Sequence, residues 1–143
     1  MTRYLLDTNI ISELHKPKPH GGVAEWFSTL RDEQVAISSV TVLELQEGIE
    51  RTRKRDGAKA RELEAWVDDV ETSSNILAMD SRCFRETARM MSGKQDDLFD
   101  DAMIAATARI YGLVVATRNE KDFRQLGVSH PAEVFNPFKF KTQ

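Results

Sequence analysis

The sequence predicts an α/β protein: a central, mostly parallel sheet of four to five short strands between two layers of helices. Three observations predict it. Short apolar runs stop abruptly at Asp, Ser or Thr, and a helical spacing of apolar residues follows them. The run at 113–117 is β-branched and apolar on both faces, as a buried parallel strand should be. Strands that alternate with helices need crossover connections, which implies a sheet covered on both sides.

The elements follow in order. Tyr4, Leu5 and Leu6 form a buried first strand, Asp7-Thr8-Asn9 is a tight turn, and Ile10, Ile11 and Leu14 begin a helix. Asp7 or Thr8 can cap that helix. Asp7 also lies at the strand's carboxyl tip, outside which open α/β sheets bind ligands. Residues 16–22 hold two prolines and two glycines and predict a loop. Val23, Trp26, Phe27 and Leu30 then mark a short helix. Residues 34–39 read as a second strand ending in Ser38 and Ser39, either of which caps the helix that carries Val42, Leu45 and Ile49 to about Arg53. A basic stretch over 51–55 breaks at Gly57. The next helix, from about Ala58 to Val70, sets Leu63, Trp66, Val67 and Val70 on one face. Residues 75–79 give a third strand, and Asp80 or Ser81 caps a helix to about Met91. After a loop at 92–95, an alanine-rich helix runs from about Asp97 to Tyr111 and ends at Gly112, a suitable C-cap. Residues 113–117 are the fourth strand, 122–126 one helical turn, and 132–135 a last short strand before a polar tail. No repeat or linker interrupts the chain, so 1–143 is expected to be one domain.

Composition narrows the classes. With 143 residues and 41% hydrophobic content, the chain can bury a sizeable core. A net charge of -3 argues against a general nucleic-acid binder but leaves room for a local basic surface. Cys83 is the lone cysteine, which excludes a disulfide framework or thiolate cluster; it is expected to pack as a small apolar side chain. The first apolar run stops at Asp7, which is not a signal-peptide pattern, and no stretch approaches the ~20 apolar residues needed to span a bilayer. A cytoplasmic protein with no membrane partner is expected.

Three other groups fall where this topology brings them near Asp7. Glu44 sits one turn into the helix after the second strand. Asp101, preceded by Asp97 and Asp100, opens the alanine-rich helix. Asn119 and Asp122 follow the fourth strand. Each has a plain structural reading: Glu44 as a solvated helix residue, Asp97 and Asp100 as favourable charges at a helix N-terminus, Asp122 as a cap. Collected at one sheet edge, however, carboxylates repel one another unless a cation neutralises them or some stay protonated. Oxygen ligands without cysteine or clustered histidine point to Mg²⁺ or Mn²⁺ rather than zinc. His15, His20 and His130 are scattered and receive no catalytic role.

Leu6-Asp7-Thr8-Asn9, the stretch from Ser38 through Glu44 to Gly48, Asp101-Ala102-Met103-Ile104-Ala105-Ala106-Thr107-Ala108, Gly112-Leu113, and Ala116-Thr117-Arg118-Asn119 with Asp122-Phe123 occur in this order. In these motifs the chain resembles PIN-domain ribonucleases, and among them the VapC toxins of bacterial toxin–antitoxin modules, including the FitB and plasmid-stability branch. The resemblance spans nearly the whole chain. It implies a PIN-like three-layer α/β/α fold and a metal-dependent endoribonuclease, with catalytic positions at Asp7, Glu44, Asp101 and Asn119. Asp7, Glu44 and Asp101 would be the ligands of one or two Mg²⁺, with Mn²⁺ as a substitute. The family's fourth position is often aspartate; Asn119 supplies a neutral, poorer ligand, for which Asp122 or Asp100 would compensate. Thr8, Asn9, Ser39 and Thr117 would orient carboxylates and waters.

Arg51, Arg53, Lys54 and Arg55, with Lys59 and Arg61 beyond them, are candidates for RNA contact or for a solvated charged turn; Lys139 and Lys141 are further candidates. The resemblance also implies a homodimer and a cognate antitoxin of the VapB, FitA or Phd kind. That partner would lie over the active site and carry the binding to operator DNA. The apolar faces Leu14/Phe27 and Leu63/Trp66/Val67 would suit its groove. Three rivals are weighed. A haloacid-dehalogenase-type phosphatase would want a second aspartate where Asn9 stands. A receiver domain would want a lysine placed differently from Lys121. A degenerate PIN fold would bind RNA or a partner without cutting.

Overall fold

The computed structural model describes residues 1–128 and 133–142. Its strands are β1 (Tyr4–Leu6), β2 (Val35–Ser38), β3 (Ile76–Leu77), β4 (Val114–Ala116) and β5 (Val134–Phe135). They pair in the order β3-β2-β1-β4-β5, and every pairing is parallel. The chain winds outward from β1 in one direction through β2 and β3, then returns to the other side of β1 for β4 and β5. The order therefore reverses between β1 and β4, which makes the crevice beyond their carboxyl ends the topological switch point.

Seven helices cover the sheet: α1 (Thr8–His15), α2 (Gly21–Ser28), α3 (Ser39–Arg53), α4 (Gly57–Ser73), α5 (Ser81–Met91), α6 (Phe99–Tyr111) and α7 (Glu120–Gln125). Alternation along the strands divides the core into two layers. Leu5, Ala36 and Val115 cluster with Met90 of α5, Ile104 and Ala106 of α6 and Phe123 of α7. Leu6, Ile37 and Ala116 point the other way, toward Ile10 of α1, Trp26 of α2, Ile49 of α3 and Val67 of α4. The small side chains of α6, from Ala102 to Ala108, are all buried, so this helix lies close against the sheet.

Local chemistry sets the ends. The N-caps of α1, α3, α4 and α5 are Asp7, Ser38, Asp56 and Asp80, each accepting a backbone N–H from the first turn. Gly112 ends α6 at φ +70°, the left-handed conformation that favours glycine.

Several boundaries differ from the sequence expectation. Gly21 and Gly22 belong to α2 rather than to the loop, because the His20 ring nitrogen accepts the Gly22 N–H and Val23 and Trp26 bury behind them. Gln34 closes a 3-10 turn (Asp32–Gln34) instead of opening β2, while of the two serines expected as caps of α3 it is Ser38 that serves. The third strand shrinks to two residues. Asp97 lies in a 3-10 turn (Asp96–Leu98) before α6, and Asn119 rather than Asp122 stands at the N-cap of α7. Of the expected last strand, Val134 and Phe135 are paired with β4; Ala132, like His130, lies outside the described residues. Cys83 is buried, as expected. Among the described residues no helix is long and apolar enough to cross a membrane.

Candidate active site

The switch-point crevice is built on Asp7, which leaves the sheet through its own N–H, bonded to the Ala116 carbonyl at 2.9 Å. The residue is 4% exposed, and both of its carboxylate oxygens accept hydrogen bonds. Oδ1 accepts the Thr8 N–H at 2.8 Å, the capping bond of α1. Oδ2 accepts the Thr117 hydroxyl at 2.7 Å from the end of β4, and the Asn9 amide at 3.1 Å. Burial raises the proton affinity of Asp7, and the hydrogen bonds from Thr117, Thr8 and Asn9 oppose that rise without cancelling it.

Thr8 carries the arrangement to the next helix. Its hydroxyl donates to Glu44 Oε1 at 2.6 Å and lies 3.2 Å from the buried hydroxyl of Thr41. Partial burial pushes the Glu44 carboxyl up; the Thr8 bond works against this, and the charges of Asp7, Asp100 and Glu47 reinforce it. Asp101, in the first turn of α6, is pushed up to about 7. Desolvation is the largest cause, and Asp7, Asp122, Glu44 and Asp100 add repulsion. Three carboxylates from three helix starts therefore share one field.

They also share one cleft of about 450 Å³, lined by Asp7, Thr8, Asn9, Glu44, Asp101 and Asn119 together with Ser12, Glu13, Lys16, Arg118 and Phe138. Asn119 donates its backbone N–H to Thr117 Oγ1 at 2.9 Å, and its side chain makes no capping bond to α7. Asp100 and Asp122 act on the cleft through their charge and do not line it. Ser39 opens α3 half-buried and does not line it either.

The donor set suits a small, hard divalent cation: oxygen atoms throughout, in a field whose repulsion such an ion would relieve. Among the described residues no three His, Cys, Asp or Glu side chains close on a single point. The array is open, and Mg²⁺ is commonly held in this way by one or two carboxylates, with water and substrate phosphate completing its shell.

The basic stretch divides. Arg51 and Arg55 line a second groove of about 470 Å³ that shares Thr8, Ser12 and Glu44 with the cleft and continues to Leu63, Trp66 and Val67. Arg53 is held by Glu50 and Glu64, Lys54 ends α3 in solvent, and Lys59 pairs with Glu62. Leu14 and Phe27 lie across Trp66 in a separate apolar groove of about 300 Å³. Sequence reasoning assigned no site role to Arg118, Phe138, Glu13, Lys16 or Ser12. Arg118 adjoins Asn119 in a motif already singled out; Phe138 reaches the cleft from the tail, where no local pattern marks it.

The fold and site define the class: an α/β/α domain with a carboxylate-lined crevice at its switch point. Residues 4–128 match the PIN domain, and the chain belongs to that family. It is 34% identical over 141 residues to the toxin FitB of Neisseria gonorrhoeae, covering 94% of this chain and 97% of that one. It is 33% identical over 129 residues to the tRNA(fMet)-specific endonuclease VapC of Shigella flexneri, covering 89% and 94%. A solved structure of FitAB bound to an IR36 DNA fragment superposes with a TM-score of 0.79 at 29% identity, covering 98% of this chain and 99% of that one.

Proposed function

We propose that this protein is the toxin of a type II toxin–antitoxin pair and acts as a metal-dependent endoribonuclease in the cytoplasm. The observation that carries this reading is the convergence of Asp7, Glu44 and Asp101 on one cleft, where burial and mutual repulsion favour a cation. Mg²⁺, or Mn²⁺ in its place, would be held by Asp7 and Asp101 with Glu44 beside them, and when bound supplies Lewis-acid polarisation of the scissile phosphate. The protein's own groups do the rest. Thr117 and Asn9 fix the direction of Asp7, and Thr8 fixes Glu44 through Oε1. Glu44, with its raised proton affinity, accepts the proton of the attacking water. Attack in line forms the new P–O bond and breaks the bond to the 3′ oxygen, which takes a proton from solvent water as it departs, leaving 5′-phosphate and 3′-hydroxyl ends. Asn119 orients water or a phosphate oxygen from the fourth side.

The partner reading draws on the FitAB complex and on the two grooves that share Trp66, one apolar and one mixed, which suit a segment of a FitA- or VapB-like antitoxin laid over the cleft. Operator DNA would be bound by that partner, and the toxin would pair as a homodimer.

Asn119 favours a second reading, a PIN fold that binds RNA without cutting, because the fourth group is neutral. Incubating a mixed RNA pool with antitoxin-free protein in Mg²⁺, Mn²⁺ or EDTA separates them, with Asp7→Asn and Asp101→Asn in parallel. Metal-dependent cleavage lost in both variants supports the nuclease. Cleavage that persists in EDTA, or in Asp7→Asn, overturns the assigned site. Cleavage gained only on Asn119→Asp supports the second reading.

A further inference from the structure

An RNA substrate brings negative charge into a cleft already lined by Asp7, Glu13, Glu44 and Asp101. Among the described residues two cations line it, Lys16 and Arg118. Lys16 is committed, with Nζ 2.9 Å from Oε1 of the buried Glu13. Arg118 enters no ion pair among the described residues; its guanidinium instead rests 4.7 Å above the centre of the Phe138 ring. Attraction to a ring face uses none of the five N–H donors of a guanidinium, so the fork remains available to an anion.

Both halves of this pair are anchored. The Arg118 N–H donates to Asn9 Oδ1 at 3.2 Å, and the Asn9 amide donates to Asp7 Oδ2 at 3.1 Å. The preceding residue, Thr117, bonds to the same Asp7 oxygen. The base of the arginine is thus tied to the central carboxylate by two short paths. Phe138 sits in a 3-10 turn (Pro137–Lys139) whose cap, the buried Asn136, accepts the Phe138 N–H at 2.9 Å. The His20 ring packs against it at 4.9 Å. The cation is held at the rim by a fixed platform while its charge stays unspent.

We propose that Arg118, poised on Phe138, grips a backbone phosphate of the RNA beside the scissile bond and so admits a polyanion to an acidic cleft. This rests on the ribonuclease reading above. A guanidinium suits the task because its planar fork meets two phosphate oxygens at once, which an ammonium cannot do.

The test uses the Asp7→Asn protein, expected to bind without cutting, and a fluorescently labelled single-stranded RNA titrated in Mg²⁺ over a range of KCl concentrations. Adding Arg118→Gln is expected to weaken binding about tenfold, as one charge-assisted contact should. It should also flatten the slope of log Kd against log [KCl] by about 0.7, the loss of one phosphate contact on a single strand. Adding Arg118→Lys should restore the slope but not the full affinity. If Arg118→Gln leaves affinity and slope unchanged while the Asp7→Asn parent binds RNA, the grip is overturned and the nuclease reading stands. If the parent binds no RNA while wild type cleaves it, the grip alone is overturned; if wild type cleaves none in Mg²⁺ or Mn²⁺ either, both fall together.

Discussion

Asp101→Asn should change how the fold responds to pH, and the sign follows from the repulsion in the cleft. In the folded protein Asp101 holds its proton up to about pH 7, against an ordinary 3.8. Below the lower value both folded and unfolded chains are protonated and nothing is lost. Between the two the folded state binds the extra proton, so stability falls as pH rises, and above about 7 the penalty of the buried charge is fully developed. At full weight the rise corresponds to about 4 kcal/mol. Asp101 is only half-buried, and screening by solvent reduces this to about 2 kcal/mol. Burial raises Asp7 and Glu44 in the same direction and steepens the slope. Urea unfolding followed by the fluorescence of Trp26 and Trp66, in EDTA from pH 5 to 8, reads this directly. Wild type should lose about 1 kcal/mol across the window from Asp101, the rest of the fall lying below pH 5. Asp101→Asn should be flatter and exceed wild type near pH 7.5, and saturating Mg²⁺ should raise wild type there by mass action. Parallel curves for the two proteins would refute the reasoning, because the electrostatic strain would then not reside at Asp101.

Three further outcomes are expected. Thr8→Val removes the hydroxyl that holds Glu44 Oε1 at 2.6 Å; RNA cleavage should fall about 10–100-fold with a higher half-saturating Mg²⁺, measured by metal titration of the cleavage rate. Asn119→Asp adds a fourth carboxylate to the cleft; it should lower the half-saturating Mg²⁺ about tenfold and destabilise the metal-free protein near pH 7.5, measured by the same titration and by urea unfolding. Gly112→Ala meets no atom within 4 Å, so its cost is that of placing alanine at φ +70°, about 1 kcal/mol in urea unfolding.

The candidate site was legible in the sequence where its parts are local. Asp7, Thr8 and Asn9 announce themselves because an apolar run stops at them, and Thr117 and Asn119 because another does the same. Asp101 and Glu44 stand at fixed places in helices whose spacing is plain. The reversal between β1 and β4 then brings them together, since both strands deliver their carboxyl ends to one crevice. What the sequence hid depends on contacts between distant segments. The first turn of α2 looked like a breaker because its two glycines have no helical preference; His20 and the burial of Val23 and Trp26 override that. The third strand is short because its pairing with β2 ends at Ser38, where α3 begins. Arg118 and Phe138 are twenty positions apart, and no periodicity joins a loop after β4 to a turn in the tail.

Two readings of Asp7, helix cap and candidate site carboxylate, looked like alternatives and are compatible in one arrangement. Oδ1 serves the cap of α1, and Oδ2 serves Thr117 and Asn9. The bonds that hold the rotamer also keep a buried carboxylate ionisable, so the fold and the site draw on the same atoms. This decides which substitution can test the site. Alanine would remove the cap and cost about 1 kcal/mol, confusing lost activity with a loosened α1. Asparagine caps as well as aspartate does, and its carbonyl can keep the Thr8 N–H. Its amide would face Thr117 Oγ1, whose hydroxyl can turn to accept it, and the Asn9 amide, a second donor whose 3.1 Å bond is given up. The charge is thereby removed while the cap and the link to β4 remain. An Asp7→Asn protein that melts near wild type and has lost cleavage therefore reports on the carboxylate itself, and one that melts far below wild type would show that the bonds from Thr117 and Asn9 needed the charge.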